Sequence, residues 1–170
     1  MKKKLLTVLA LVLVVGLVLC LLPWSRTVSV HTTAYEYTVG QKEPLAVRDV
    51  VIEGRYTVYV FKENQFDGTL SVSGYDYSQQ MPAKVQFWHD RNPGMISYRD
   101  EAGQPLGREL ANIFCSRDFT RFTIQIFDQE RRGSQIIGHW NGRVLCADAP
   151  DYETMAALSA QVGFRADEIG

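Results

Sequence analysis

Residues 46–61 read AVRDVVIEGRYTVYVF, and this stretch carries the pattern that decides the fold. In its second half, Tyr56, Val58 and Val60 alternate with the residues between them, so they share one face of an extended chain. The dipeptide Glu53-Gly54 is expected to divide the stretch into two short runs. We therefore predict short β-strands here, each with one buried face.

The same alternation of Tyr, Phe, Val, Ile and Thr continues from residue 27 to residue 148, broken by turn sequences. It predicts about seven to nine short strands at spacings near 8–12 residues. Residues 150–162 follow, with helical composition, N-capping acids and an early proline. The predicted fold is mainly β: a small antiparallel β-barrel or sandwich with a C-terminal helix that covers an open edge or one barrel end.

The most specific turn signal is the dipeptide Asn141-Gly142, which favours a type I′ hairpin because both central positions need positive φ. It predicts that residues 134–140 pair with residues 143–148, which would place Ile137 opposite Cys146. Residues 128–133 (DQERRG) are predicted to form a charged loop.

The N-terminal segment is of a different kind. Residues 5–22 read LLTVLALVLVVGLVLCLL, without a charge. As a helix they would rise about 27 Å, close to the hydrocarbon thickness of a bilayer. Residues 2–4 are lysines, which favour the cytoplasmic side, and Trp24 suits the opposite headgroup layer. We predict a transmembrane helix that precedes the β domain.

The predicted organisation has a membrane anchor or signal sequence in residues 1–26 and a juxtamembrane strand or linker in residues 27–44. An extracytoplasmic β domain follows in residues 45–170. The localisation expected is the cell membrane, single-pass, with the N-terminus cytoplasmic. A cleaved signal would instead release a secreted protein, and a lipoprotein signal fits poorly because Leu19 precedes Cys20.

Composition limits the partners. The chain has 170 residues, 46% hydrophobic and 22% charged, with a formal net charge of −1. Residues 1–26 hold 4 of the 18 basic residues and no acid, so residues 27–170 carry 14 basic against 19 acidic residues. This balance offers no basic footprint for nucleic acid, and we expect no nucleic-acid partner. The bilayer is the partner expected for residues 5–22.

Catalytic motifs are missing from the sequence. It has no nucleophile elbow, phosphate-binding loop or helical zinc motif, and His31, His89 and His139 stand alone. We expect no cofactor, no metal and no enzymatic activity. An envelope hydrolase, with a site assembled from distant strands, is the least favoured alternative.

Two groups of residues are candidates for a special role. Cys115 and Cys146 lie in predicted strands, and a disulfide between them would suit an extracytoplasmic domain. Two buried free thiols are the alternative. The candidate binding surface consists of aromatic residues and one histidine: Tyr75, Tyr77, Trp88, His89 and Trp140.

The function predicted from these features is that of a membrane-anchored extracytoplasmic protein, a non-catalytic module that binds an envelope protein or a glycan. A small β-barrel that holds an apolar ligand in its interior is the alternative. The ligand, the strand order and the oligomeric state do not follow from the sequence.

Overall fold

The computed structural model describes residues 11–16, 21–88, 93–106, 110–132 and 135–165, and the side chains of 106 and 129–137 lie outside this description. Its strands, in chain order, are β1 (Trp24–Thr38), β2 (Ala46–Val58), β3 (Asn64–Val72), β4 (Ala83–Phe87), β5 (Gly94–Arg99), β6 (Pro105–Leu106), β7 (Leu110–Cys115), β8 (Phe122–Arg132) and β9 (Gln135–Ala147). Helix α1 (Asp76–Gln80) lies between β3 and β4, and helix α2 (Tyr152–Gln161) follows β9.

The strands close into a barrel. Neighbouring strands pair in antiparallel fashion in the order β4-β3-β2-β1-β9-β8-β7-β5, and a further pairing of β4 with β5 joins the two ends of the sheet. The two-residue strand β6 only extends the end of β5. Of the two architectures that the sequence allowed, the structure is therefore an eight-stranded antiparallel barrel with a C-terminal helix. A closed sheet satisfies its own edges.

The barrel interior is filled by apolar side chains, because alternate residues of each strand point inward. Phe66, Leu70 and Val72, which the sequence pattern placed on one face of a strand, are all buried there. The inner core contains Val28, Ala34, Val50, Ile52, Phe66, Leu70, Val72, Ala83, Val85, Phe87, Ile96, Tyr98, Leu110, Ile113, Phe119, Phe122, Ile124, Ile126, Leu145 and Ala147.

Gly54 and Gly68 face each other across β2 and β3, where the two backbones approach closely. A Cβ atom on Gly54 would lie 2.8 Å from the Cα atom of Gly68, so a side chain would force the strands apart. Strand β2 runs without a break from Ala46 to Val58, and the predicted division at Glu53-Gly54 is wrong. Gly54 therefore allows the backbones of β2 and β3 to approach closely and does not form a turn.

The predicted hairpin at Asn141-Gly142 is also wrong. Strand β9 runs through this dipeptide, and Ile126 pairs with Arg143 whereas Phe127 pairs with Trp140. Asn141-Gly142 is therefore a bulge in β9. Gly142 has φ +78°, a conformation that hairpin turns and bulges both use, so the local signal was correct and its interpretation was not.

The first half of β9 pairs with β8, which continues through the predicted charged loop to Arg132. As a result Ile137 pairs with Glu130, and Cys146 pairs with Thr123. The connection between β8 and β9, residues 133–134, lies outside the described residues.

Helix α2 packs on the outer face of the barrel beside β8 and β9, so it covers the wall instead of closing an end. It begins as the sequence predicts, with the carboxylate of Asp151 accepting a hydrogen bond of 2.8 Å from the backbone N–H of Thr154. The hydroxyl of Tyr37 donates to the carbonyl of Ala149 at 2.8 Å and ties β1 to the segment before the helix. The outer core under α2 contains Tyr37, Val144, Cys146, Ala149, Met155 and Phe164.

The N-terminal segment is described in part. Residues 11–16 are helical, and most of the predicted transmembrane helix, residues 5–22, lies outside the description. Among the described residues no helix has both the length and the hydropathy needed to span a membrane. Strand β1 begins at Trp24 and belongs to the barrel wall, so residues 27–38 form a strand, one of the two forms expected for residues 27–44.

Candidate functional site

The two ends of the barrel differ in chemistry. At the lower end β1 begins, and the β2–β3, β4–β5 and β7–β8 connections meet. At the upper end lie the β1–β2 loop, helix α1 and the β5–β7 connection. Each end carries one group of side chains that the needs of the fold do not explain.

An apolar rim follows one side of the lower end. Phe61 is 84% exposed, Trp24 is 70% exposed and Trp88 is 56% exposed. Trp24 pairs with Val58 in the β1–β2 ladder, and Val60 and Phe61 come directly after β2. The apolar rim is defined here as Trp24, Val58, Val60, Phe61 and Trp88. Single exposed apolar residues are ordinary, but a group of five at one end of a barrel indicates a contact surface.

Basic side chains accompany the apolar rim. The guanidinium of Arg26 lies 5.3 Å from the ring centre of Tyr56, and the ammonium of Lys62 lies 3.9 Å from that of Tyr59. Arg117, on the β7–β8 loop, is exposed.

The acids described at this end are Glu63, which accepts a hydrogen bond from Gln86, and the exposed Asp118. A cavity of about 340 Å³ opens here and is lined by Arg26, Tyr56, Val58, Asn64 and Arg117.

Phe119 forms the floor of this end. It is buried although it lies on the β7–β8 loop, and its ring contacts Tyr56, Phe66 and Phe87 with centroid distances of 5.3–5.9 Å. Its backbone has φ +63°, which is uncommon for a residue with a side chain. The loop holds this conformation through Asp118.

The carboxylate of Asp118 accepts hydrogen bonds from the hydroxyl of Ser116 at 2.6 Å and from that of Thr120 at 2.9 Å. These bonds lower the pKa of Asp118 to about 2. The carboxylate therefore stays charged, and the loop stays braced, well below neutral pH.

A charged mouth occupies the interior of the upper end. Glu36 is only 1% exposed, and its Oε2 accepts bonds of 3.1 Å and 3.0 Å from Nε and Nη2 of Arg48. Its Oε1 accepts a hydrogen bond from Nη2 of Arg143. The hydroxyl of Tyr75 lies 3.4 Å from that same Nη2, and its ring centre lies 5.5 Å from the guanidinium carbon of Arg48. The charged mouth is defined as Glu36, Arg48, Arg143 and Tyr75.

The candidate binding surface predicted from the sequence is divided between the two ends. Tyr75 and Tyr77 lie together at the upper end, with ring centres 6.2 Å apart. The hydroxyl of Tyr77 accepts a bond of 3.2 Å from the backbone N–H of Leu110. Trp88 belongs to the apolar rim at the opposite end, and His89 lies outside the described residues.

Trp140 lies on the outer wall, where its ring contacts Phe164 beyond α2. The predicted residues therefore do not form one surface, although Tyr75 and Trp88 each belong to one of the two groups found here.

Cys115 and Cys146 are both reduced in the structure. Cys115 packs against the inner core and Cys146 belongs to the outer core, so the barrel wall separates them. The fold therefore does not form the predicted disulfide. Burial raises the pKa of Cys115 to about 12, and this thiol is protonated at neutral pH, which makes it a poor nucleophile.

The described histidines do not form a site. His31 is exposed and lies 2.7 Å from the carboxylate of Glu53 on the outer surface, and His139 is exposed. Within the described ranges, no group of three His, Cys, Asp or Glu side chains is placed to hold a metal ion.

Sequence reasoning missed Glu36, Arg48 and Arg143, because charged residues in predicted strands are ordinarily solvent-facing. One signal was available: Glu36 stands between Tyr35 and Tyr37 in a strand whose even-numbered positions point inward. No protein-family model matches the chain, and no curated protein or solved structure is significantly similar to it.

Proposed function

We propose that the chain is a single-pass membrane protein whose N-terminal apolar segment anchors a non-catalytic β-barrel binding module outside the cytoplasm. In this arrangement the apolar rim rests on the lipid headgroups. The upper end of the barrel then faces away from the membrane, where an envelope protein or a glycan can reach it.

The observation that carries the proposal is the exposure of the apolar segment. The side chains of residues 11–15 are 49–66% exposed, so they are not packed into the barrel. A helix of such residues has no polar face to turn to water, and a bilayer is the environment that suits it. The lysines at positions 2–4 favour a cytoplasmic N-terminus.

The position of β1 supports contact between the apolar rim and lipid. Leu22 ends the apolar segment and is 51% exposed, and β1 begins at Trp24, so only Pro23 separates the segment from the barrel. A linker this short keeps the lower end close to the membrane surface.

The chemistry of the rim matches the membrane interface. Tryptophan is enriched at the headgroup layer, and Phe61 can enter the acyl boundary. Arg26 and Lys62 can extend their charged groups to anionic headgroups while their stems cover apolar surface.

Binding at the ends of the barrel is favoured over an apolar ligand in its core. A protein that holds an apolar ligand inside a barrel needs this architecture, but side chains of the inner core fill the described interior. The cavity at the lower end is lined by Arg26, Asn64 and Arg117, which suit a polar group better than an apolar one.

Tryptophan fluorescence in vesicles tests the proposal. The full chain, which contains three tryptophans, is reconstituted into phospholipid vesicles that carry bromine high on the acyl chains. Bromine quenches tryptophan on contact, so Trp24 and Trp88 should be quenched and Trp140 on the outer wall should not. Trp24→Phe and Trp88→Phe should each lower the quenched fraction, and Trp140→Phe should raise it.

The anchor is tested by extraction with alkaline carbonate. Leu13→Arg places a charge in the apolar segment at a cost of about 2.5–3.5 kcal/mol for a helix centre and should release the protein. Leu45→Arg is the matched control, because Leu45 is also exposed (53%) but lies at the upper end. Equal release of both variants, or quenching of Trp140 alone, would refute the proposal.

A further inference from the structure

The charged mouth holds more positive than negative charge. Two guanidinium groups, Arg48 and Arg143, share the single carboxylate of Glu36 inside the barrel. The exposed Asp128 also acts on Arg143 by its charge, and its Oδ1 accepts a hydrogen bond of 2.7 Å from the side chain of Asn141. Among its four defined residues, the charged mouth therefore has two cations and one carboxylate.

The mouth also has a surplus of hydrogen-bond donors. Both oxygens of Glu36 are engaged, and a guanidinium has five N–H groups. The Nε of Arg143 is buried and has no hydrogen-bond partner among the described residues. A buried donor of this kind destabilises the fold unless a further group binds it.

Both cations of the charged mouth are accessible to solvent. The side chains of Arg48 and Arg143 are 26% and 34% exposed, so a solute can reach them from the upper end. Gly74, with φ +84°, packs directly against the guanidinium of Arg48, and a Cβ atom at this position would clash with it.

We propose that the charged mouth binds a small oxyanion, a phosphate or carboxylate group of a soluble ligand, with Arg143 as the main contact and Arg48 and the Tyr75 hydroxyl beside it. Arginine suits such groups because its planar fork gives two parallel hydrogen bonds. This proposal does not depend on the membrane anchor.

Titration of the full chain in a neutral detergent tests the proposal. Inorganic phosphate and acetate are the two probes, with chloride at matched ionic strength as the reference, and binding is followed by calorimetry. The wild-type chain should bind at least one probe at one saturable site, and the preferred probe distinguishes a phosphate ligand from a carboxylate ligand.

Three variants assign the site. Arg143→Gln should weaken binding at least about tenfold, and Tyr75→Phe, which keeps the ring on Arg48, should weaken it about threefold to tenfold, the range expected for one hydrogen bond. Arg117→Gln makes the same change of charge at the lower end and should leave the affinity unchanged. If Arg143→Gln does not fold, Tyr75→Phe against Arg117→Gln decides the assignment.

A fourth variant separates ligand binding from a merely structural ion pair. Glu36→Gln frees donors of both arginines and should tighten binding of the probe. No saturable binding to the wild-type chain, or an equal loss in Arg117→Gln, would overturn the proposal.

Discussion

Replacing Phe119 with alanine should be the most destabilising single change at the lower end of the barrel. The side chain is 1% exposed, and its ring contacts three other aromatic rings. Loss of a buried phenylalanine costs about 3–5 kcal/mol. Each aromatic pair adds about 0.5–1.5 kcal/mol beyond burial, which places Phe119→Ala in the upper half of that range, at about 4 kcal/mol.

The backbone of Phe119 allows a second comparison at the same position. Phe119→Ala keeps a Cβ atom at φ +63°, where an L-residue costs about 1–2 kcal/mol, whereas Phe119→Gly removes that cost. Phe119→Gly loses the same ring, so its destabilisation should be about 1 kcal/mol smaller. The usual order of the two substitutions in a loop or strand is thereby reversed.

Urea unfolding of the full chain in a neutral detergent measures both effects. The control is Phe61→Ala, which removes the same ring from an 84% exposed position at the same end and should change stability by less than about 0.5 kcal/mol. Benzene should stabilise Phe119→Ala and leave the wild-type chain unchanged, because an apolar cavity stays dry and accepts such a ligand. A loss below about 1.5 kcal/mol for Phe119→Ala, or equal losses for both phenylalanines, would refute the assignment of Phe119 as the floor.

Four further predictions concern other parts of the fold. Glu36→Gln should lower the free energy of unfolding, measured in urea, by about 2–3 kcal/mol. This loss is smaller than that for a fully buried ion pair, because both arginines are partly exposed. Gly142→Val should cost about 1–3 kcal/mol, because a β-branched residue resists φ +78°, and an unchanged melting temperature would argue against the bulge. The raised pKa of Cys115, about 12, means that the unfolded chain loses its thiol proton first. The contribution of this thiol to the free energy of unfolding should therefore be present in full below about pH 9 and be lost as the pH rises toward 12. Cys115→Ser should remove this pH dependence from the unfolding profile. Without reductant the denatured chain should show three reactive thiols, and a count of one would mean that Cys115 and Cys146 are bridged.

The sequence predicted those elements whose signals are local. The alternation in residues 64–72 placed Phe66, Leu70 and Val72 on the buried face, and Asp151 marked the start of α2. Alternation does not distinguish a barrel from a sandwich, because both bury one face of each strand. The difference lies in the pairing of β4 with β5, which depends on the curvature of the whole sheet.

The error at Asn141-Gly142 has a clear physical origin. Asn-Gly supplies a residue with positive φ, and that requirement is met equally by a hairpin turn and by a bulge inside a long strand. Asn141-Gly142 forms a bulge instead of a hairpin turn because the residues of β8 beyond Ile126 continue to pair with β9 instead of forming a loop. The pairing of the neighbouring strand therefore determines whether the dipeptide forms a turn or a bulge, and the dipeptide alone does not predict it.

The charged mouth was missed for a related reason. Glu36 and Arg143 are 107 positions apart, and they meet only because β1 and β9 are neighbours in the closed sheet. In the sequence each is one charged residue in a strand. The two residues form a buried pair because closure of the barrel directs both side chains inward.

The two proposed contacts occupy opposite ends of one filled barrel, and this arrangement makes each testable without the other. A barrel whose interior is filled binds through its ends or its walls, and α2 already covers part of the wall beside β8 and β9. If the apolar rim rests on lipid, the barrel axis directs the charged mouth away from the membrane, where a soluble oxyanion can reach it. Removal of the membrane by detergent should then leave phosphate or acetate affinity unchanged, and Arg143→Gln should leave the quenching of Trp24 and Trp88 unchanged. A change in both readouts from Arg143→Gln would mean that this substitution disturbs the whole barrel, and the assignment of the mouth would then depend on Tyr75→Phe.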